Sequence, residues 1–202
     1  SWAHASLSVY TEWADRLLSA GVTILDRPVS ETRGKGTIWF VPEEVYTLDL
    51  DSMTDIYTVQ LAEMNRKVTS LTADDAARKR VLEYELERMV LTHTPLTADY
   101  ARDIISWSGK EEVFALRYAN LILAGHYNGG QWRIPFLGAV YVPELGWFPK
   151  DEDIRGLNAV EGIPQHISPG LGSDPHYTNM PGRIFNPPEA TLITLTSRST
   201  RQ

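Results

Sequence analysis

Leu121-Ile122-Leu123-Ala124-Gly125-His126-Tyr127-Asn128-Gly129-Gly130-Gln131 is the stretch on which the fold turns. Four apolar residues in succession, halted by a glycine and a histidine, read as a short buried strand. In α/β folds, ligands and catalytic groups gather at the carboxyl ends of strands, because the loops there converge over the sheet edge. His126, two residues past the run, is in that position. A strand aims its imidazole while the loop leaves it open to a cavity, which suits a metal ligand. A strand-end histidine that only hydrogen-bonds its own turn fits the same position.

The pattern recurs upstream, where His93 follows Val90-Leu91-Thr92 and precedes Thr94-Pro95. Around these two points the other elements fall into order. Residues 8–20 carry Tyr10, Trp13, Ala14, Leu17 and Leu18 on one helical face, with Gly21 as the terminator. Val22-Thr23-Ile24-Leu25 reads as a short buried strand. Residues 29–33 and 37–41 read as a hairpin about Gly34-Lys35-Gly36. From 51 to 89 the period becomes helical: Met53, Ile56, Tyr57, Leu61 and Met64 make one stripe, and Val81, Leu82, Leu86 and Met89 a second. Thr72 is the expected cap of the second helix. That is a helical-hairpin insert, 51–89, in an otherwise α/β chain. Its charged end, 83–88, would run into Val90-Leu91 without a turn, so a flexible segment is expected to be missing near Met89-Val90. A helix is expected over 97–105 and a last apolar strand over 190–196. No internal repeat or low-complexity run interrupts the chain, and residues 1–202 read as a single domain.

Composition narrows the chemistry. The 202 residues suffice for one domain with its own core. The absence of cysteine excludes disulfides, zinc–thiolate sites and thiol nucleophiles. Any metal must therefore be held by histidine, carboxylate, amide or backbone oxygen. A net charge of −7 argues against nucleic acid as a main partner, because phosphate neutralisation needs clustered Lys and Arg. The first residues, Ser1-Trp2-Ala3-His4, include no methionine, and an upstream part is expected to precede them.

The block Gly125-His126-Tyr127-Asn128-Gly129-Gly130-Gln131 resembles the Gly-His-x-His-Gly-Gly-Gln motif of calcineurin-like metallophosphoesterases. Leu91-Thr92-His93-Thr94-Pro95 is similar to the strand–histidine loop that precedes it in the family. Ile167-Ser168-Pro169-Gly170-Leu171-Gly172 and Arg183-Ile184-Phe185-Asn186-Pro187-Pro188-Glu189 look like the family's last two sheet segments. The likeness spans most of the chain apart from 51–89. It implies an α/β fold, the C-terminal part of a four-layer αββα sandwich, and two divalent metal ions (Mn, Fe, Zn or Mg). In the family a metal-activated hydroxide attacks a phosphomonoester or phosphodiester, and the metals neutralise the phosphoryl oxygens. His93 and His126 would ligate one metal. Asn128 stands where the motif has its second histidine and would be a weaker ligand to the other metal. Gln131 and Arg133 would meet the substrate phosphate, although Arg133 equally fits a solvated strand position.

The family's Asp-x-His, Gly-Asp and Asn-His-Asp/Glu motifs have no counterpart here; Asp15, Asp26 and Asp49 stand in other contexts. No catalytic residue is therefore assigned, and the chain reads as about half a site. A degenerate, inactive binding or scaffold module is the alternative reading, with Asn128 as its sign. His166 reads as a packed or hydrogen-bonded strand histidine, His176 and Asn179 as part of a loop that either borders the cleft or is plain surface, and His4 has no supporting pattern. Pro135-Phe136-Leu137-Gly138 resembles bacterial members often tied to a membrane by an N-terminal anchor. That implies a phosphate-ester or lipid-linked substrate, and a cytoplasmic or membrane-associated setting.

Overall fold

The computed structural model describes residues 7–25, 28–33, 36–46, 87–108, 115–173 and 182–195. Its centre is a mixed sheet of six strands. They are β1 (Val29–Arg33), β2 (Gly36–Pro42), β3 (Glu87–Leu91), β4 (Leu121–Ala124), β9 (Gly156–Val160) and β10 (Ile163–Ile167). Two short hairpins lie outside it: β5 (Arg133–Ile134) with β6 (Gly138–Ala139), and β7 (Tyr141–Val142) with β8 (Gly146–Trp147). The sheet order is β1-β2-β3-β4-β10-β9. The inner four strands run parallel, with Val41 opposite Val90, Val90 opposite Ile122 and Ile122 opposite Gln165. The outer strands β1 and β9 are antiparallel to their neighbours. The carboxyl ends of β2, β3, β4 and β10 therefore open on one edge. The architecture is mixed α/β.

Helix α1 (Leu7–Ser19) ends in a Schellman motif at Gly21, whose φ is +80°. The amide of Gly21 donates to Leu18 O, and that of Val22 to Leu17 O. Helix α2 (Ala98–Trp107) starts at Thr97, whose hydroxyl accepts from the Tyr100 amide at 3.3 Å. Such a cap contributes about 1 kcal/mol. At its other end the Arg117 guanidinium donates to the carbonyls of Ile105 (2.9 Å) and Ser108 (2.7 Å), two groups the helix itself leaves open. Ala101 and Ile104 of α2 pack on Val90, Ile122, Val160 and Ile163, and this is the main core. Gln165 is buried within it, and its amide closes on the Leu96 backbone, accepting from N at 2.8 Å and donating to O at 3.2 Å. A buried amide is tolerated when both ends find partners.

Several expectations need correction. Val22-Thr23-Ile24-Leu25 is irregular and partly exposed rather than a buried strand; a short apolar run without a pairing partner gains nothing from extension. Residues 190–195 are exposed and irregular, not a strand. The helical insert expected over 51–89 lies outside the described residues up to 86, and its last three residues, Glu87, Arg88 and Met89, belong to β3. The strand runs unbroken through Met89-Val90, so no helix-to-strand junction falls at that point. Arg88 accounts for the difference. It is fully buried in the strand with its guanidinium 5.5 Å from the Tyr118 ring centroid and donating to Tyr118 O. Burial lowers its pKa to about 10. His4, Asp26, Asp49, His176 and Asn179 lie outside the described residues, and Asp15 is in α1.

Candidate metal centre

The two strand-end histidines meet. Thr92 N donates to Leu123 O (2.9 Å) and Gly125 N to His93 O (3.2 Å), so the β3–β4 ladder continues past both strands and binds the two loops side by side. His93 Nε2 and His126 Nδ1 are 2.8 Å apart, with ring centroids at 4.6 Å in an edge-on arrangement. Burial, and then the neighbouring His126, hold His93 below the usual imidazole pKa. Both effects favour the neutral ring, the form that ligates metals.

Beyond His126 the backbone turns left-handed. His126, Asn128, Gly129, Gly130 and Gln131 all have positive φ, from 43° to 78°. Each non-glycine residue in that region costs about 1–2 kcal/mol, so the loop must be held from outside. Asn186, buried, donates from Nδ2 to Asn128 O at 2.7 Å. A Cβ on Gly130 would come within 2.3 Å of the Ala139 Cβ, and one on Gly129 within 2.9 Å of the Pro169 Cβ. Glycine is required at both positions by contact as well as by φ. Tyr127, Ala139, Val142 and Ile154 form a small separate core beneath the loop.

His126, Asn128 and Gln131 line one cavity of about 90 Å³, with Tyr141, Pro143 and Glu144 on its wall. That is about three water volumes. Arg133 is elsewhere. Its guanidinium donates to Gly129 O at 3.0 Å and to both Asp151 carboxylate oxygens, at 2.7 and 2.5 Å. With its donors so engaged it braces the loop, and the cleft it borders is lined by Phe136, Phe148 and Phe185 instead. His166 is on β10, paired in register with Leu123, outside the histidine pair.

One contact at the histidine pair had no signal in the sequence. Glu144 Oε1 is 3.0 Å from His126 Nε2. Eighteen residues and a hairpin separate the two, and no local period connects them.

The donor set fits a cation in part. Two imidazole nitrogens sharing a tetrahedral ion with bonds near 2.1 Å are about 3.4 Å apart, so the observed pair, at the hydrogen-bond distance of 2.8 Å, has to open by about 0.6 Å to share one. Among the described residues no group of three or more His, Asp or Glu side chains converges as a metal site. Also among them, no helix is long and apolar enough to cross a membrane. No protein-family model, curated protein or solved structure matches the chain.

Proposed function

We propose that this chain supplies the histidine half of a divalent-metal phosphoesterase site, with His93 and His126 holding one cation through their facing nitrogens. The observation that carries the reading is the 2.8 Å approach of two imidazoles from the carboxyl ends of adjacent parallel strands. A bound divalent ion supplies Lewis acidity toward a phosphoryl oxygen and activates water near neutral pH. The protein's own part is to hold the His93 imidazole neutral and to fix the directions of both rings by the β3–β4 ladder, while Asn128 and Gln131 line the small cavity beside His126. The proposed substrate is a phosphomonoester or phosphodiester, free or lipid-linked.

The finer fold belongs to the same proposal: this sheet is one of two in a four-layer αββα sandwich. Strands β2, β3 and β4 carry Ile38, Phe40, Met89, Leu91, Leu121 and Leu123 at the positions alternating with the α2-facing ones. All of these but Met89 are only half-buried. Parallel strands ordinarily have both faces covered, which supports a second layer there.

A module that binds without hydrolysing has one observation in its favour. Among the described residues no carboxylate joins both histidines, and Asn128 replaces a stronger donor. Titration of the 202-residue chain with Mn²⁺, followed by calorimetry and by electron paramagnetic resonance, separates the readings. The phosphoesterase reading expects one tight ion per chain, lost in His93→Ala and in His126→Ala. It also expects Mn²⁺-dependent cleavage of an aryl phosphodiester once the upstream carboxylates are supplied on a longer chain. Binding without cleavage on that longer chain selects the binding module, and no binding at all removes both.

A further inference from the structure

We propose that Glu144 is a positioning residue that fixes the tautomer of His126. The inference rests on the cation reading above for its purpose, and on separate geometry for its substance. His126 has two contacts, one on each ring nitrogen: Nδ1 faces His93 Nε2 at 2.8 Å, and Nε2 faces Glu144 Oε1 at 3.0 Å. An ionised carboxylate only accepts hydrogen bonds. The proton in the second contact therefore belongs to Nε2, and a neutral ring carrying it there has its lone pair on Nδ1. That lone pair points at His93, whose Nε2 is the donor in the cation-free pair. Without the carboxylate, either His126 nitrogen could carry the proton, and in half of the arrangements an N–H would block the shared position. Carboxylates that take the second N–H of a ligating histidine act in this way.

Glu144 is not itself a ligand candidate. The two nitrogens of an imidazole diverge to opposite edges of the ring, so a group on Nε2 is turned away from an ion at Nδ1. Nor is the contact a source of stability, since both side chains are partly exposed, at 31% and 46%, and such pairs contribute little. What the fold invests is a dedicated hairpin. Pro143-Glu144-Leu145 is the turn between β7 and β8, closed by Leu145 N to Val142 O at 3.0 Å, with Gly146 at φ +85°. Val142 roots the turn in the same small core as Tyr127, the residue next to His126. The carboxylate and the imidazole it touches thus share one foundation.

The test uses the full chain with ¹⁵N-labelled histidine, read by long-range ¹H–¹⁵N correlation without metal, and by Mn²⁺ titration. Wild type is expected to show His126 protonated on Nε2. Glu144→Ala is expected to mix the tautomers and weaken Mn²⁺ binding about 10–100-fold. Glu144→Gln keeps the size of the side chain but can donate to Nε2 as well as accept from it, so it is expected to restore the tautomer only in part; a bulk structural role would instead restore it fully. A wild-type His126 protonated on Nδ1 overturns the proposal, as does a Glu144→Ala chain with unchanged tautomer and unchanged affinity. If wild type binds no Mn²⁺ yet loses its tautomer in Glu144→Ala, the positioning role stands and the cation reading falls. If Mn²⁺ binds and the tautomer ignores position 144, the reverse holds.

Discussion

The sheet and the loop beyond it are rigid for different reasons. In the sheet, Val90, Ile122 and Ile163 are fixed by ladders and by α2, and each contact is replaceable by another of similar volume. In the 126–139 segment little regular structure exists, and order comes from a few interlocks: Gly130 against Ala139, Asn186 on Asn128 O, and Arg133 on Gly129 O and Asp151. The sheet decides where the histidines start; the interlocks decide where His126 ends up. A change in the first region should alter stability and spare the site. A change in the second should alter both.

The largest effect is expected from Gly130→Ala, which sets a methyl 2.3 Å from the Ala139 Cβ at φ +78°. Overpacking and left-handed strain together are expected to cost about 2–4 kcal/mol. In calorimetry this lowers Tm by roughly 10 °C for a chain of this size, and Mn²⁺ binding should weaken with it. Retained stability would mean the loop is not interlocked at all. Asn186→Ala comes next, because it leaves the Asn128 carbonyl without its buried donor. Chemical denaturation should report about 1–3 kcal/mol lost, again with weaker cation binding. Ile122→Val tests the other region: about 0.5–1.5 kcal/mol is expected to be lost, with cation affinity unchanged. A matching loss of affinity there would erase the distinction between the two regions.

The smallest effect concerns pH. His93 has a folded pKa below the usual 6.5, from burial first and His126 second. The unfolded chain therefore binds more protons below that value. Stability should be fully present above pH 6.5 and decline as pH falls through 6.5 toward the lowered pKa. His93→Asn should flatten that part of a Tm-versus-pH curve, and an unflattened curve would assign the decline to other groups.

The sheet was largely legible in the sequence, and the loop only in part. The 29–33 and 37–41 hairpin, the 121–124 strand and the helix after Thr97 each announce themselves through period, glycine or cap. Where the reading went wrong, a residue type carried the wrong inference. Arg88 suggests a solvated helix, yet it lies buried over Tyr118 in β3. Leu192 is apolar and nevertheless wholly surface. His93 and His126 could be singled out because strand ends are written locally. Arg133 was ambiguous, since its partner Asp151 is eighteen residues away. Glu144 was invisible for the same reason, because tertiary pairing and not spacing brings it to His126.

The Asn186 clamp has a consequence for how the protein comes into being. Asn128 and Asn186 are 58 positions apart, and ribosomes add about 5–20 residues per second. For about 3–12 s, by that rate, a nascent chain carries both histidines while the side chain that holds their loop has not been made. The β3 and β4 strands can pair in that interval, and Arg133 can reach Gly129 O, but the left-handed turn lacks the donor to Asn128 O. The loop is therefore completed from the C-terminal side, and a chain halted before residue 186 would hold both histidines on their paired strands with one clamp of the loop still missing.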